Sequence, residues 1–184
     1  MRDAALLGVR LLLGGYMVIH ASQKLLGKFH GPGLDGAGTM FEKAGLVPGK
    51  QMATAASATE IAGGVLTVTG IASPAGPLTV AGAMSVAAAH NRGGGLMAVR
   101  GGVELPVAYA TLALTLAATG PGKYKIGPSL PGWLTAIGAI GGAAAAGALI
   151  AKMVSARPDE PAAASPGQAP KVAPDQGAAQ PLSD

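Results

Sequence analysis

The chain has 184 residues, of which 49% are hydrophobic and only 12% are charged, and its formal net charge is +4. So few charges, together with a mean hydropathy of +0.43, exclude an ordinary soluble domain and favour a membrane protein. No cysteine is present, which excludes disulfides, thiolate catalysis and cysteine-held metal or iron–sulfur centres. The positive charge favours anionic lipid over nucleic acid as a partner.

Five apolar stretches follow one another along the chain, at residues 4–26, 52–72, 74–89, 103–119 and 132–151. About 20 apolar residues cross a bilayer as a helix. The sequence therefore predicts an all-α, multi-pass membrane protein with a four-helix transmembrane bundle over 1–127 and a fifth transmembrane helix over 128–154. Residues 155–184 are rich in Pro and Ala and are predicted to form a disordered tail.

The first apolar stretch carries a polar stripe. Tyr16, His20 and Lys24 recur every four residues and therefore stack on one face of a helix, which we expect to face protein rather than lipid. Arg10 lies nearer the start, and its long side chain is expected to snorkel to the N-terminal membrane interface. The glycine-rich segment that follows, residues 29–49, is predicted to be a loop.

The second stretch carries Glu60 near its middle. A carboxylate at membrane depth must be paired, protonated or used, so an ionisable residue in this position is a functional-site hypothesis. Gly63 and Gly64 follow it and let a neighbouring helix approach closely. We therefore predict that Glu60 pairs with His20 or Lys24.

Two further ionisable residues mark helix ends, since His90 ends the third stretch and Glu104 opens the fourth. Because successive helices alternate in direction, one half of the membrane holds a predicted buried polar cluster of His20, Lys24, Glu60, His90 and Glu104. Glu104 precedes Pro106 and also suits the first turn of a helix, where a carboxylate interacts well with the helix dipole. Loss of Glu60 is therefore expected to weaken the protein more than loss of Glu104.

The fifth stretch and the loops bear on assembly and orientation. Gly138-x-x-x-Gly142 has the spacing of associating membrane helices, which agrees with a homo-oligomer.

Lysine and arginine are concentrated in the first and third loops and after the fifth stretch. Because basic loops tend to stay in the cytoplasm, this side is predicted to be cytoplasmic and the N-terminus to lie outside.

The order of these landmarks resembles the DoxX family of small bacterial membrane proteins. The resemblance extends over residues 4–126 and rests on Arg10, His20, Lys24-Leu-Leu-Gly27, Gly31-Pro-Gly33, Gly45-Leu-Val-Pro48, Glu60-Ile-Ala-Gly-Gly64, His90 and Glu104-Leu-Pro106. It implies a bacterial plasma membrane location, soluble redox enzymes as partners, and a link to a subunit of a quinol oxidase or a thiosulfate:quinone oxidoreductase. The chain departs from the family pattern at Val103-Glu104-Leu105, where an aromatic residue is usual, and by its fifth apolar stretch and tail.

Three functional interpretations remain open. The favoured one is a non-catalytic membrane subunit or scaffold of a redox or oxidative-stress complex, in which the polar cluster fixes helix register. The second is a quinone site in which Tyr16, His20 and Glu60 bind the head group and exchange protons. The third is a small transporter or proton conductor that uses Glu60 as a carrier. No metal site is predicted, because two histidines without a Glu-x-x-His pattern are a weak ligand set.

Overall fold

A computed structural model describes residues 1–156, and the tail predicted over 155–184 lies outside them except for its first two residues. The described residues form six α-helices and three short 3-10 turns, with no strand among them. The helices are α1 (Arg2–Leu26), α2 (Gly33–Lys43), α3 (Gly49–Thr69), α4 (Ala75–Asn91), α5 (Glu104–Thr119) and α6 (Gly132–Ser155). The turns are Lys28–His30, Arg92–Gly94 and Ala98–Arg100.

Each of the five predicted apolar stretches forms a helix, namely α1, α3, α4, α5 and α6. Two of these, α1 and α6, are long and apolar enough to cross a membrane by length and composition, and α5 is a shorter apolar helix. The prediction of a loop over residues 29–49 is wrong for residues 33–43, which form α2. Its glycines lower the helix propensity, and packing against α3 and α1 supplies the stabilisation that propensity lacks.

Four helices pack in a closed order. α1 packs against α3, α3 against α4, α4 against α5, and α5 returns to α1. Their buried core consists of Leu13, Met17, Val80, Ala81, Met84, Ala113 and Leu116. The predicted close approach at the glycines after Glu60 is confirmed, because a Cβ atom on Gly64 would lie 2.8 Å from the Gly14 carbonyl oxygen.

The remaining helices, α2 and α6, lie outside this closed order. α2 packs against α3 and α1, whereas α6 packs against α4. A second small core joins the end of α6 to the connection between α2 and α3 through Met153, Ala44 and Leu46. α2 and α6 therefore flank the outer surface of α3 and α4.

Arg10 is buried inside the protein rather than exposed at its surface, so the snorkelling expectation is wrong. The residue is 2% exposed, and its guanidinium donates hydrogen bonds to the carbonyl oxygens of Thr67 (2.8 Å), Val68 (2.5 Å), Pro121 (2.8 Å) and Tyr124 (2.6 Å). The last carbonyl groups of a helix have no partner within that helix. Arg10 satisfies two of them at the end of α3 and also binds the segment between α5 and α6.

Candidate functional site

Glu60 forms an ion pair with Lys24, which is one of the two pairings predicted from the sequence. The Lys24 ammonium group contacts Glu60 Oε1, and Glu60 as a whole is only 4% exposed. The side chain of Lys24 is 24% exposed, so the cation is partly solvated while the carboxylate is not. The pair is formally neutral, which removes most of the energetic objection to a carboxylate at this depth.

Two polar atoms on α3 have no hydrogen-bond partner among the described residues. They are Glu60 Oε2 and Ser57 Oγ, and both are buried. Residues three positions apart lie on neighbouring parts of one helix face, so Ser57 belongs to the surroundings of the Glu60 carboxylate. Sequence reasoning missed Ser57, although its spacing from Glu60 was a usable signal. A buried polar atom without a partner typically costs about 1–3 kcal/mol, and such an atom calls for an explanation.

A cavity of about 610 Å³ lies beside this ion pair. Four residues of the predicted cluster line it: His20, Lys24, Glu60 and His90. Its other walls come from the outer surface of α3 and α4 and from α2 and α6, with apolar side chains such as Met40, Phe41, Met52, Leu149 and Met153. The volume falls in the range of about 300–1,000 Å³ that is usual for small-molecule sites, and such sites combine mostly apolar walls with a few polar groups.

Glu104 and Tyr16 lie away from the cavity lining. Glu104 is an exposed residue in the first turn of α5, where its Oε2 accepts a hydrogen bond from the Ala98 N–H at 2.9 Å. The ring of Tyr16 stacks on Tyr109, with 5.7 Å between the ring centroids. The ring of His20 meets Tyr109 edge-on at 6.2 Å, so Tyr109, which sequence reasoning missed, connects Tyr16 to the edge of the cavity.

Within residues 1–156, no group of three or more histidine, aspartate or glutamate side chains is arranged to hold a metal ion. His20 and His90 both line the cavity. They share it with the Lys24–Glu60 pair, and a lysine ammonium beside two imidazoles suits hydrogen bonding to a polar head group.

The comparison with known families agrees with the motif order. Residues 5–91 match the family model described as DoxX. Over this segment, which is slightly less than half of the chain, the sequence is similar to the DoxX family. No curated protein and no solved structure matches the chain. The DoxX match and the apolar helices support a membrane protein, and the match includes His20, Lys24, Glu60 and His90 but ends before α5 and α6.

Proposed function

We propose that this DoxX-like protein is a multi-pass protein of the bacterial plasma membrane that binds a lipophilic small molecule with a polar head group, of the quinone class, as the membrane subunit of a redox complex. The observation that carries the proposal is the convergence of His20, Lys24, Glu60 and His90 on one largely apolar cavity. A cluster that only fixed helix register would need no cavity beside it.

The chemistry of the cluster suits a quinone. The ring carries two carbonyl acceptors, and Lys24 has three N–H donors, of which Glu60 Oε1 takes one. Reduction to the quinol consumes two electrons and two protons, and oxidation releases them. Glu60 and His20 are the cavity groups that exchange protons with the head group, while a soluble redox partner supplies or removes the electrons.

A structural role for the cluster is the second candidate, and the Lys24–Glu60 ion pair favours it. The pair joins α1 to α3 across their shared interface and neutralises both charges without any ligand. In that case the protein is a scaffold, alone or as a homo-oligomer, and its contribution to the complex is to position other subunits.

Native purification in mild detergent, followed by mass spectrometry for quinone and for partner proteins, separates the two candidates. We expect quinone to co-purify with the wild type and with Glu104→Gln, whose side chain lies outside the cavity. Quinone occupancy is expected to fall in Glu60→Gln and in His20→Gln, and the second variant leaves the ion pair intact. Partner proteins without quinone in the wild-type preparation would instead support the scaffold.

A further inference from the structure

The connection between α4 and α5, residues 92–103, is held in one shape by its own hydrogen bonds, and it is called the α4–α5 loop below. The Val103 N–H donates a hydrogen bond of 3.0 Å to the Gly95 carbonyl oxygen. The Glu104 N–H donates one of 2.9 Å to the Leu96 carbonyl oxygen, and the carboxylate of Glu104 accepts another from the loop backbone. The loop therefore presents its side chains on a fixed backbone.

The α4–α5 loop presents large apolar side chains to its surroundings. Leu96, Met97 and Val99 are 67%, 54% and 92% exposed. Arg92 and Arg100 precede and follow them in the loop, and both are exposed. An ordered loop that holds apolar side chains outward between charged residues indicates contact with a membrane or with another protein.

The position of the α4–α5 loop along α1 favours the membrane. The ring of Tyr16 on α1 stacks on Tyr109 of α5, and Arg2 at the start of α1 binds a carbonyl oxygen at the end of α5, so the two helices are antiparallel. From Tyr109, α5 runs back about 7 Å to its start, whereas from Tyr16 α1 continues for about 15 Å to its end. The loop therefore lies beside the last turns of α1, a helix long and apolar enough to cross a membrane, and this depth is the membrane boundary rather than bulk water.

The charge of the α4–α5 loop favours an anionic lipid. Residues 61–103 contain no aspartate or glutamate, and Glu104 is hydrogen-bonded to the loop backbone. Within residues 1–156, neither Arg92 nor Arg100 belongs to a salt bridge. A guanidinium group matches the geometry of a phosphate, and basic residues beside a membrane helix attract anionic head groups.

We infer that the α4–α5 loop is a binding site for anionic phospholipid. Leu96, Met97 and Val99 enter the outer part of the hydrocarbon layer, and Arg92 and Arg100 bind the lipid phosphate. This site assigns to one loop the preference for anionic lipid that the net charge of the chain indicates. It begins just beyond the DoxX match, which ends at residue 91, and it is independent of the quinone site.

Tryptophan fluorescence in vesicles tests the inference. The chain has one tryptophan, so Val99→Trp combined with Trp133→Phe gives the full-length protein a single reporter on the loop. Phosphatidylcholine vesicles contain the same low mole fraction of either brominated phosphatidylglycerol or brominated phosphatidylcholine, with the bromines on the acyl chain. We expect the brominated lipids to quench the reporter and aqueous acrylamide to leave it largely unquenched. Leu96→Trp in the same background is the second reporter if Val99→Trp does not fold.

Brominated phosphatidylglycerol is expected to quench severalfold more than brominated phosphatidylcholine, because each arginine near the membrane surface contributes about a fivefold preference for anionic lipid. Adding Arg92→Gln and Arg100→Gln should remove this excess. Lys123→Gln with Lys125→Gln is the matched control, because it removes two charges from exposed residues in the segment between α5 and α6, at the other end of the helices. This control should keep the excess.

Three results would overturn the inference. Quenching by acrylamide without quenching by either brominated lipid would mean that the loop lies in water, as a surface for a soluble partner does. Equal quenching by the two brominated lipids would remove the preference for anionic lipid. Equal loss of the excess in the two double variants would remove the role of the loop arginines.

Discussion

The interface between α1 and α3 and the interface between α4 and α6 use the same small residues in opposite ways. At the first, a Cβ atom on Gly14 would lie 2.5 Å from the Gly64 carbonyl oxygen, so the two backbones are in contact. At the second, a Cβ atom on Gly82 or on Gly142 would meet no neighbouring atom within 4 Å, and both residues line a cavity. A glycine in an apolar helix is therefore compatible with close packing or with open space, and only the tertiary structure shows which.

The largest loss of stability is expected from Arg10, which lies on α1 and donates hydrogen bonds to four carbonyl oxygens. Arg10→Met would remove every donor and leave several buried acceptors unsatisfied, which should destabilise the protein by about 4 kcal/mol at 1–3 kcal/mol per stranded group. Thermal unfolding in detergent measures the loss. Arg2→Met is the control, because Arg2 is exposed and makes one hydrogen bond of 3.2 Å to the Thr119 carbonyl oxygen. Similar losses in both variants would contradict the role assigned to Arg10.

Two glycine substitutions test the difference between the α1–α3 and α4–α6 interfaces directly. Gly64→Leu forces a side chain against the Gly14 carbonyl, and overpacking of this kind should destabilise the protein by about 3 kcal/mol. Gly142→Leu, which enters the cavity, should change the unfolding temperature little. Equal unfolding temperatures of the two variants would contradict the difference in packing between the α1–α3 and the α4–α6 interfaces.

An intermediate effect is expected from the ion pair at the edge of the cavity. Glu60→Ala leaves the partly buried Lys24 ammonium without its carboxylate and should cost about 2 kcal/mol, less than for a fully buried pair because Lys24 is partly solvated. Glu104→Ala removes one exposed hydrogen bond and should cost about 0.5–1 kcal/mol. Unfolding temperatures of the two variants measured side by side test the order, and a larger loss from Glu104→Ala would reverse it.

The smallest effect concerns the surface ion pair between Asp35 and Lys50, which joins α2 to the start of α3 at 2.5 Å. The hydrogen bond from Lys50, followed by its positive charge, lowers the pKa of Asp35 below its usual value. The folded state therefore gains stability above the pKa of an unfolded aspartate and loses it as the pH falls through the lowered pKa of Asp35. The difference in unfolding temperature between the wild type and Asp35→Asn should be small near neutral pH and vanish in acid. A difference that grew in acid would contradict this sign.

Hydrophobic stretches and helix alternation are sufficient to predict five of the six helices that residues 1–156 form, and the convergence of His20, Lys24, Glu60 and His90. The hydrophobic pattern did not predict α2, because the glycines of this segment suggested a loop. Packing against α3 stabilises it as a helix instead. The pattern also failed at Arg10, whose partners lie at the far end of α3 and beyond α5. The ion pair of Glu60 with Lys24 is one of the two pairings predicted from the charges of the residues and their positions along the helices.

The cavity was not predictable from the sequence in the same way. Its polar end comes from residues that are conspicuous in an apolar chain, whereas its long walls come from ordinary residues of α2, α4 and α6. Whether a glycine such as Gly142 faces a neighbour or open space depends on how α6 packs against the rest of the protein, which its neighbours in sequence do not determine. Glu104 was included in the cluster because it begins a helix at the same end, but its carboxylate binds the backbone of the preceding turn.

The bonds of Arg10 also bear on the order in which the protein is made. Two of its acceptors, at Pro121 and Tyr124, are 111 and 114 residues further along the chain. When α1 leaves the ribosome, its arginine has no access to them, and it gains its full set of acceptors only after α5 has been synthesised. The complete set of Arg10 hydrogen bonds can therefore form only after the segment between α5 and α6 has been made.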